Sequence, residues 1–357
     1  MSLRDRLIAR IAKGGPIGVA DFMNACLHDP EGGYYATRPA LGEAGDFITA
    51  PHVSQMFGEL IGLWAAEVWE RLGRPARARL VELGPGDGTM MGDMLRAARA
   101  APGFLDACEV VFIETSAPLK GRQEEVFGDR ARWLGSLGEV PWDAPVILVA
   151  NEFLDCLPIR QAVRDGEAWR ERLVGVDGRG KLAFEIAQSI YFPPHPPHEG
   201  EGEEGGDVFE WSEALIEFGG LVGELIARAS GAGLVIDYGR DASGLGDTLQ
   251  ALRGHARDGA LETPGLADLT AHVDFPAFLA AARAAGAETG PIRSQRAFLR
   301  DLGIEQRAAT LAHARPDEAC KIARQLNRLI APDQMGALFK AACVYSPWLA
   351  APGFEAE

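Results

Sequence analysis

A chain of 357 residues, 47% hydrophobic and 24% charged, carries enough apolar material for one large domain or two, which excludes a wholly disordered protein. Lys and Arg number 35 against 51 Asp and Glu, a formal net charge of -16 without a basic block, so a sequence-independent nucleic-acid binder with its positive footprint is excluded. The balance suits a basic, Arg- or Lys-bearing protein partner.

In chain order, 1–15 reads as an amphipathic helix on Leu3, Leu7, Ile8 and Ile11, closed by Gly14-Gly15. A short helix is expected over 20–27 and a Gly- and Pro-rich loop over 29–51. A helix over 53–72 follows, apolar at Met56, Leu60, Leu63, Trp64 and Val68 and ended by Gly73. Then strands (79–83, 109–113, 132–134, 146–150) alternate with helices (90–100, 119–127). That alternation predicts an α/β fold with a parallel, Rossmann-like sheet covered on both faces. A β-rich piece over 159–190 turns at Asp165-Gly166 and Asp177-Gly178, and 191–207 is a Pro/His/Gly/Glu insert. His195 and His198 in that insert have no further ligands converging in sequence, so no metal is expected. A helix over 210–230, a strand over 233–237, helices over 275–285, 305–314 and 317–330, and a strand over 339–345 complete the chain. The expected division is a helical extension (1–75) with a loop covering the cofactor, a first part of the core (76–160), an insertion holding the flexible loop 191–207 (161–230), and a second part of the core with helical additions (231–357). Cys26, Cys108, Cys156, Cys320 and Cys343 form no C-x-x-C pair, which points to free thiols in a reducing, cytoplasmic setting. No apolar run reaches the roughly 18 residues of a membrane span.

The chemistry concentrates in Glu82-Leu83-Gly84-Pro85-Gly86-Asp87-Gly88-Thr89, between a strand and a helix. Glycines allow a tight turn and close ligand approach, and the helix start offers free N–H groups. A dinucleotide fingerprint would place its third glycine at 89; here it stands at Gly88. The spacing fits instead the hydrophobic-acid-x-G-x-G-x-G pattern of class I methyltransferases, with the amino-acid end of S-adenosyl-L-methionine along Gly84, Pro85, Gly86 and Gly88. Glu114 ends the next strand, where a carboxylate can accept both hydroxyls of a ribose. The adenine is expected near Ser136-Leu137. Asn151-Glu152-Phe153-Leu154-Asp155 ends the fourth strand and forms a plausible reaction edge. If the methyl acceptor is an arginine nitrogen, the cationic guanidinium has no free lone pair, and carboxylates must hold it and draw charge away. Glu152 and Asp155, with Asn151 beside them, are the candidates; Glu210 and Asp237 are further acids to consider.

Several stretches resemble the MidA-type family of S-adenosyl-L-methionine-dependent methyltransferases. They are Gly45-Asp46-Phe47-Ile48-Thr49-Ala50-Pro51, Val53-Ser54-Gln55-Met56-Phe57-Gly58-Glu59-Leu60, the glycine loop to Met90, Asn151 to Asp155, Ile236-Asp237-Tyr238-Gly239, and Asp268-Leu269-Thr270-Ala271-His272-Val273-Asp274-Phe275. The resemblance implies a Rossmann-like core with an added helical portion, and a cofactor held by Gly84, Gly86 and Glu114. It also implies a loop with Asp46 and Thr49 that closes over the cofactor, and a substrate rim of Asp46, Asp237, Tyr238, His272 and Asp274. His52 departs from the family pattern, which has an acid there. Mitochondrial members are protein arginine methyltransferases tied to respiratory complex I assembly, so the resemblance implies methylation of an arginine in a protein, a complex I subunit among the choices. A small-molecule methyltransferase on the same core and an assembly factor that binds the cofactor without turnover stay open.

Overall fold

The computed structural model describes residues 1–37, 48–190, 208–254 and 256–355. Asp46 and the insert with His195 and His198 lie outside the described residues.

The central sheet follows the spatial order Glu288–Thr289, Phe339–Tyr345, Gly231–Arg240, Val146–Asn151, Ala78–Leu83, Cys108–Ile113, Ala131–Leu134. Phe339–Tyr345 is antiparallel to Gly231–Arg240, and the strands from there to Ala131–Leu134 are parallel. Ala78–Leu83 and Val146–Asn151 are buried throughout; Val146 to Ala150 is accordingly an unbroken apolar run, while Ala78–Leu83 buries Arg79 and Glu82 among its apolar residues. From Ala78–Leu83 the chain winds outward on one side, then crosses to Val146–Asn151 on the other. The strand order therefore reverses where Leu83 pairs with Ala150, and ligands of open α/β sheets bind outside such a point.

Strand side chains alternate between two cores. Leu80, Phe112 and Val149 pack under helices Gln55–Arg71 and Thr89–Ala97, together with the C-terminal helices; Val81, Val111 and Leu148 pack under Glu213–Ala229 and Phe275–Ala284. The expected helix over 53–72 begins later, because Ser54 is extended (φ -164, ψ 140) and caps Gln55–Arg71 by accepting from the Met56 N–H. Inside this helix Glu59 is buried and pairs with Arg96 at 3.0 Å and Arg307 at 2.8 Å, so it ties the C-terminal helix Ile304–Ala314 to the core. Glu59→Ala is expected to cost about 2–3 kcal/mol, less than for a fully buried pair because both arginines can turn to water. A urea midpoint measurement checks this.

Packing divides the chain differently from the expected boundary at 75. Leu3, Leu7, Ile11 and Phe22 form a third core with Ile159, Val174, Leu182 and Leu269, so helices Leu3–Gly14 and Val19–His28 belong with the β-rich piece, while Gln55–Arg71 belongs with the central sheet. The first helix has one apolar stripe and needs one sheet face; Gln55–Arg71 buries most of its residues and is sandwiched. Among the elements that escape the sequence reading are helix Gln295–Asp301 and an antiparallel sheet of Gln250–Arg253, Ala256–Asp258 and Asp268–Thr270. The helix expected from 210 starts at Glu213, because Val208–Trp211 is a strand paired with Arg160–Asp165.

Candidate active site

After Leu83 the backbone turns left-handed at Gly84 (φ 57), Gly86 (φ 59) and Gly88 (φ 82). A Cβ at Gly84 would lie 2.8 Å from Phe153 Cδ2, and one at Gly88 would lie 2.5 Å from Phe127 Cε2, so both the angles and the space demand glycine. The helix Thr89–Ala97 begins at once, and Asp87 Oδ1 accepts its first N–H, from Thr89, at 3.0 Å.

Glu114 is fixed beside this loop. Its Oε1 accepts from Ser116 N at 2.7 Å and its Oε2 from Gln123 Nε2 at 3.1 Å. The same Gln123 amide donates to Gly86 O at 2.7 Å, and its oxygen accepts from Trp133 Nε1 at 2.8 Å. One buried glutamine thus sets the distance between the carboxylate and the turn. Burial raises the Glu114 pKa, against those hydrogen bonds. Ser136, at the end of the neighbouring edge strand, is exposed and donates to Glu139 Oε1 at 3.0 Å.

Residues 48–53 lie against the loop through a relay. Thr49 Oγ1 is 2.7 Å from His52 Nδ1, and His52 Nε2 is 3.0 Å from Asp87 Oδ2. Burial opposes the Asp87 charge, yet the hydrogen bonds from His52 and Thr89 win and bring its pKa down to about 2. His52 therefore joins residues 48–53 to the glycine loop. The segment also reaches the end of the fourth strand, where Ala50 N donates to Glu152 Oε1 at 2.8 Å.

Glu152 is one of few non-glycine residues with positive φ (50°). Its Oε1 also accepts from Asn151 Nδ2 at 3.1 Å. Burial first, and the charge of Asp155 after it, push the Glu152 pKa up to about 7 against these donors. Asp155 is buried and raised to about 6 by burial.

Glu152 stands where two spaces meet. A small cavity of about 60 Å³ is lined by Thr49, His52, Glu82, the glycine loop and Asn151; a groove of about 520 Å³ runs past Ile48, Tyr238, Leu252, Met335 and Phe339; Glu152 lines both. Two buried oxygens of the small cavity's lining residues, Glu82 Oε2 and Asn151 Oδ1, have no hydrogen-bond partner among the described residues. Burial, then the nearby Asp87, raises the Glu82 pKa well above its ordinary value. Glu82 thus joins the site as a lining residue, and its place at the head of the loop motif is the sequence signal for that role.

Other sequence candidates have different positions. Asp237 is fully buried, and its Oδ2 accepts from the N–H groups of Phe153, Leu154 and Asp155 while Oδ1 accepts from that of Tyr238. It holds the turn that follows Glu152 and does not line the groove, which corrects its expected place on the substrate rim. Asp274 is a helix cap: its Oδ1 accepts from Ala277 N at 2.9 Å and from Ser243 Oγ at 3.0 Å. Glu210 sits in a strand and is committed to Arg240 at 2.7 Å, Gln161 and Thr248. His272 lines, with Asp155, Glu210 and Asp274, a separate pocket of about 20 Å³, and meets Tyr238 edge-on at 5.7 Å. Burial, then Arg240 and Arg257, lowers its pKa. The structure thus brings together Thr49, Gly84, Pro85, Gly86, Asn151 and Glu152, with Tyr238 in the groove, Gly88 at the end of the loop and Glu114 beside it, and leaves Asp155, Asp237, His272 and Asp274 behind them.

The family model described as "Putative S-adenosyl-L-methionine-dependent methyltransferase" matches residues 60–292. The "Protein arginine methyltransferase NDUFAF7, mitochondrial" of Danio rerio is 34% identical, with 95% of this chain and 86% of that protein covered. The protein of that name from Homo sapiens is 34% identical over 93% of this chain and 81% of its own length. A crystal structure from Burkholderia thailandensis with bound S-adenosyl-homocysteine superposes with a TM-score of 0.83 at 29% identity, covering 98% of this chain and 93% of that one. By its family model, its relatives and its fold, the chain belongs to the MidA-type family of S-adenosyl-L-methionine-dependent methyltransferases.

Proposed function

We propose that this methyltransferase modifies an arginine side chain of a protein, with Glu152 as the group that holds the guanidinium and takes its proton. The observation that carries this reading is the position of Glu152, the one carboxylate shared by the glycine-loop cavity and the open groove. The names of the relatives support the choice of arginine.

The residues present fit the cofactor. The unpaired Glu82 Oε2 and Asn151 Oδ1 suit the ammonium of its amino-acid end, and Glu114 retains lone pairs for ribose hydroxyls beyond those its two donors use. Gly84, Pro85, Gly86 and Gly88 line its path, Thr49 belongs to the covering segment, and Ser136 is assigned to the adenine end. When bound, S-adenosyl-L-methionine supplies a methyl group on a sulfonium, for displacement at carbon.

The rest is the work of this chain. Arginine is cationic and its nitrogens offer no lone pair until a proton leaves or charge is drawn away. Glu152, with a pKa of about 7, is a stronger base than an ordinary carboxylate and is substantially ionised at neutral pH. Ala50 and Asn151 both bind its Oε1, which fixes the carboxylate, and Oε2 has no hydrogen-bond partner among the described residues. Tyr238 and Phe339 give the groove an apolar wall for the methylenes of an arginine stem. Asp155 acts through its charge on Glu152, and Asp237 through the turn it holds.

The test is incubation of the purified chain and labelled cofactor with a lysate lacking this protein, followed by mass spectrometry of the labelled band. The first substrate to examine is a subunit of respiratory complex I, as the family resemblance implies. Methylarginine in a protein is the expected product. Label found only in small molecules would overturn the reading.

A further inference from the structure

The groove that ends at Glu152 carries charges the transfer does not use. Arg257 enters it from strand Ala256–Asp258, and Arg328 from helix Ala319–Ile330, with Asp333 beyond that helix. Both arginines are exposed. Arg328 donates to Gln334 Oε1 at 2.5 Å, and neither arginine is in an ion pair with a carboxylate among the described residues. The chain has 51 acids against 35 bases, so carboxylates are plentiful, and Arg160, Arg172 and Arg240 each hold one. Among the described residues no carboxylate neutralises Arg257 or Arg328, and both line the groove.

An extended peptide with its arginine at Glu152 advances roughly 3.3 Å per residue, so its neighbours lie along this groove. A guanidinium matches a carboxylate in a two-pronged, directional contact. We propose that the groove selects arginines that have an acidic residue a few positions away in the same peptide, read by Arg257 and Arg328 as specificity-determining residues. This rests on the arginine reading above. The overall charge favours a basic protein; the groove favours an acidic neighbour within it, and the two act at different ranges.

The test uses the full chain and synthetic peptides with one central arginine, in which Glu, Gln or Lys is placed in turn at each nearby position. At one or more positions Glu is expected to exceed Gln by about five- to tenfold in kcat/KM, mainly through KM, as exposed charge pairs allow. Arg257→Glu combined with Arg328→Glu is expected to reverse the order, so that Lys exceeds Glu, an outcome that misfolding cannot produce. Equal methylation of Glu and Gln peptides at every position would overturn the inference while arginine methylation stands. A preference for Lys in the wild type would also overturn it and give the selection to Asp333. Failure of every arginine peptide alongside methylation of other acceptors would remove the arginine reading itself.

Discussion

Glu152→Gln is expected to lower methyl transfer by about 10²–10⁴-fold, the range for loss of a positioned acid or base. The amide keeps an oxygen for the Ala50 N–H, so the covering segment stays in place, and the cofactor's Kd should stay within about threefold, well under 1 kcal/mol. What the amide lacks is a site for the guanidinium proton. In the wild type the ionised form is the active one, so kcat/KM should fall as pH drops through about 7. Stability should move the opposite way. The folded-state pKa of about 7 exceeds the ordinary 4.5, so the contribution of Glu152 to stability is full below 4.5 and is lost as pH rises through 7. Glu152→Gln should therefore raise the unfolding free energy at pH 8, on the order of 1–3 kcal/mol, and leave it nearly unchanged at pH 5. Thermal melts at the two pH values check this, and a variant that is less stable at pH 8 would show that Glu152 is not held against its charge.

Asp237→Ala is expected to cost about 3–5 kcal/mol, because a buried carboxylate is removed from donors that cannot reach water. The four N–H groups of Phe153, Leu154, Asp155 and Tyr238 would be left without their acceptor. Asp237→Asn keeps one oxygen and should fold, yet its amide hydrogens face those donors. The turn after Glu152 then relaxes, and the positive φ of Glu152 is no longer enforced. In this milder variant kcat should fall more than KM changes, since the groove itself is intact. Urea unfolding of the Ala variant and steady-state kinetics of the Asn variant separate the two effects.

The sheet and the glycine loop were legible because burial on both faces leaves strands that are mostly apolar, and because left-handed turns leave glycines. Glu114 and Glu152 were legible as acids at strand ends. Asp237 looks the same in sequence, and only the structure shows that its carboxylate faces backbone N–H groups instead of a ligand. Asp274 carried a readable signal, since an Asp two residues before a proline marks a helix start. The Thr49–His52–Asp87 relay was not legible, for it joins segments that meet only through the fold. Neither was the partnership of the N-terminal helices with the β-rich piece, because an amphipathic stripe states that a helix needs a surface and does not say which one.

The glycine turn and Glu114 are proposed to hold the cofactor together at the reversal of strand order. Calorimetric titration of the wild type and Glu114→Ala with S-adenosyl-L-methionine and S-adenosyl-homocysteine tests it most directly. Both ligands should bind the wild type, and the variant should bind each about 10–100-fold more weakly, the loss of two hydrogen bonds to a charged acceptor. Equal affinities for wild type and variant would show that Glu114 does not hold the cofactor.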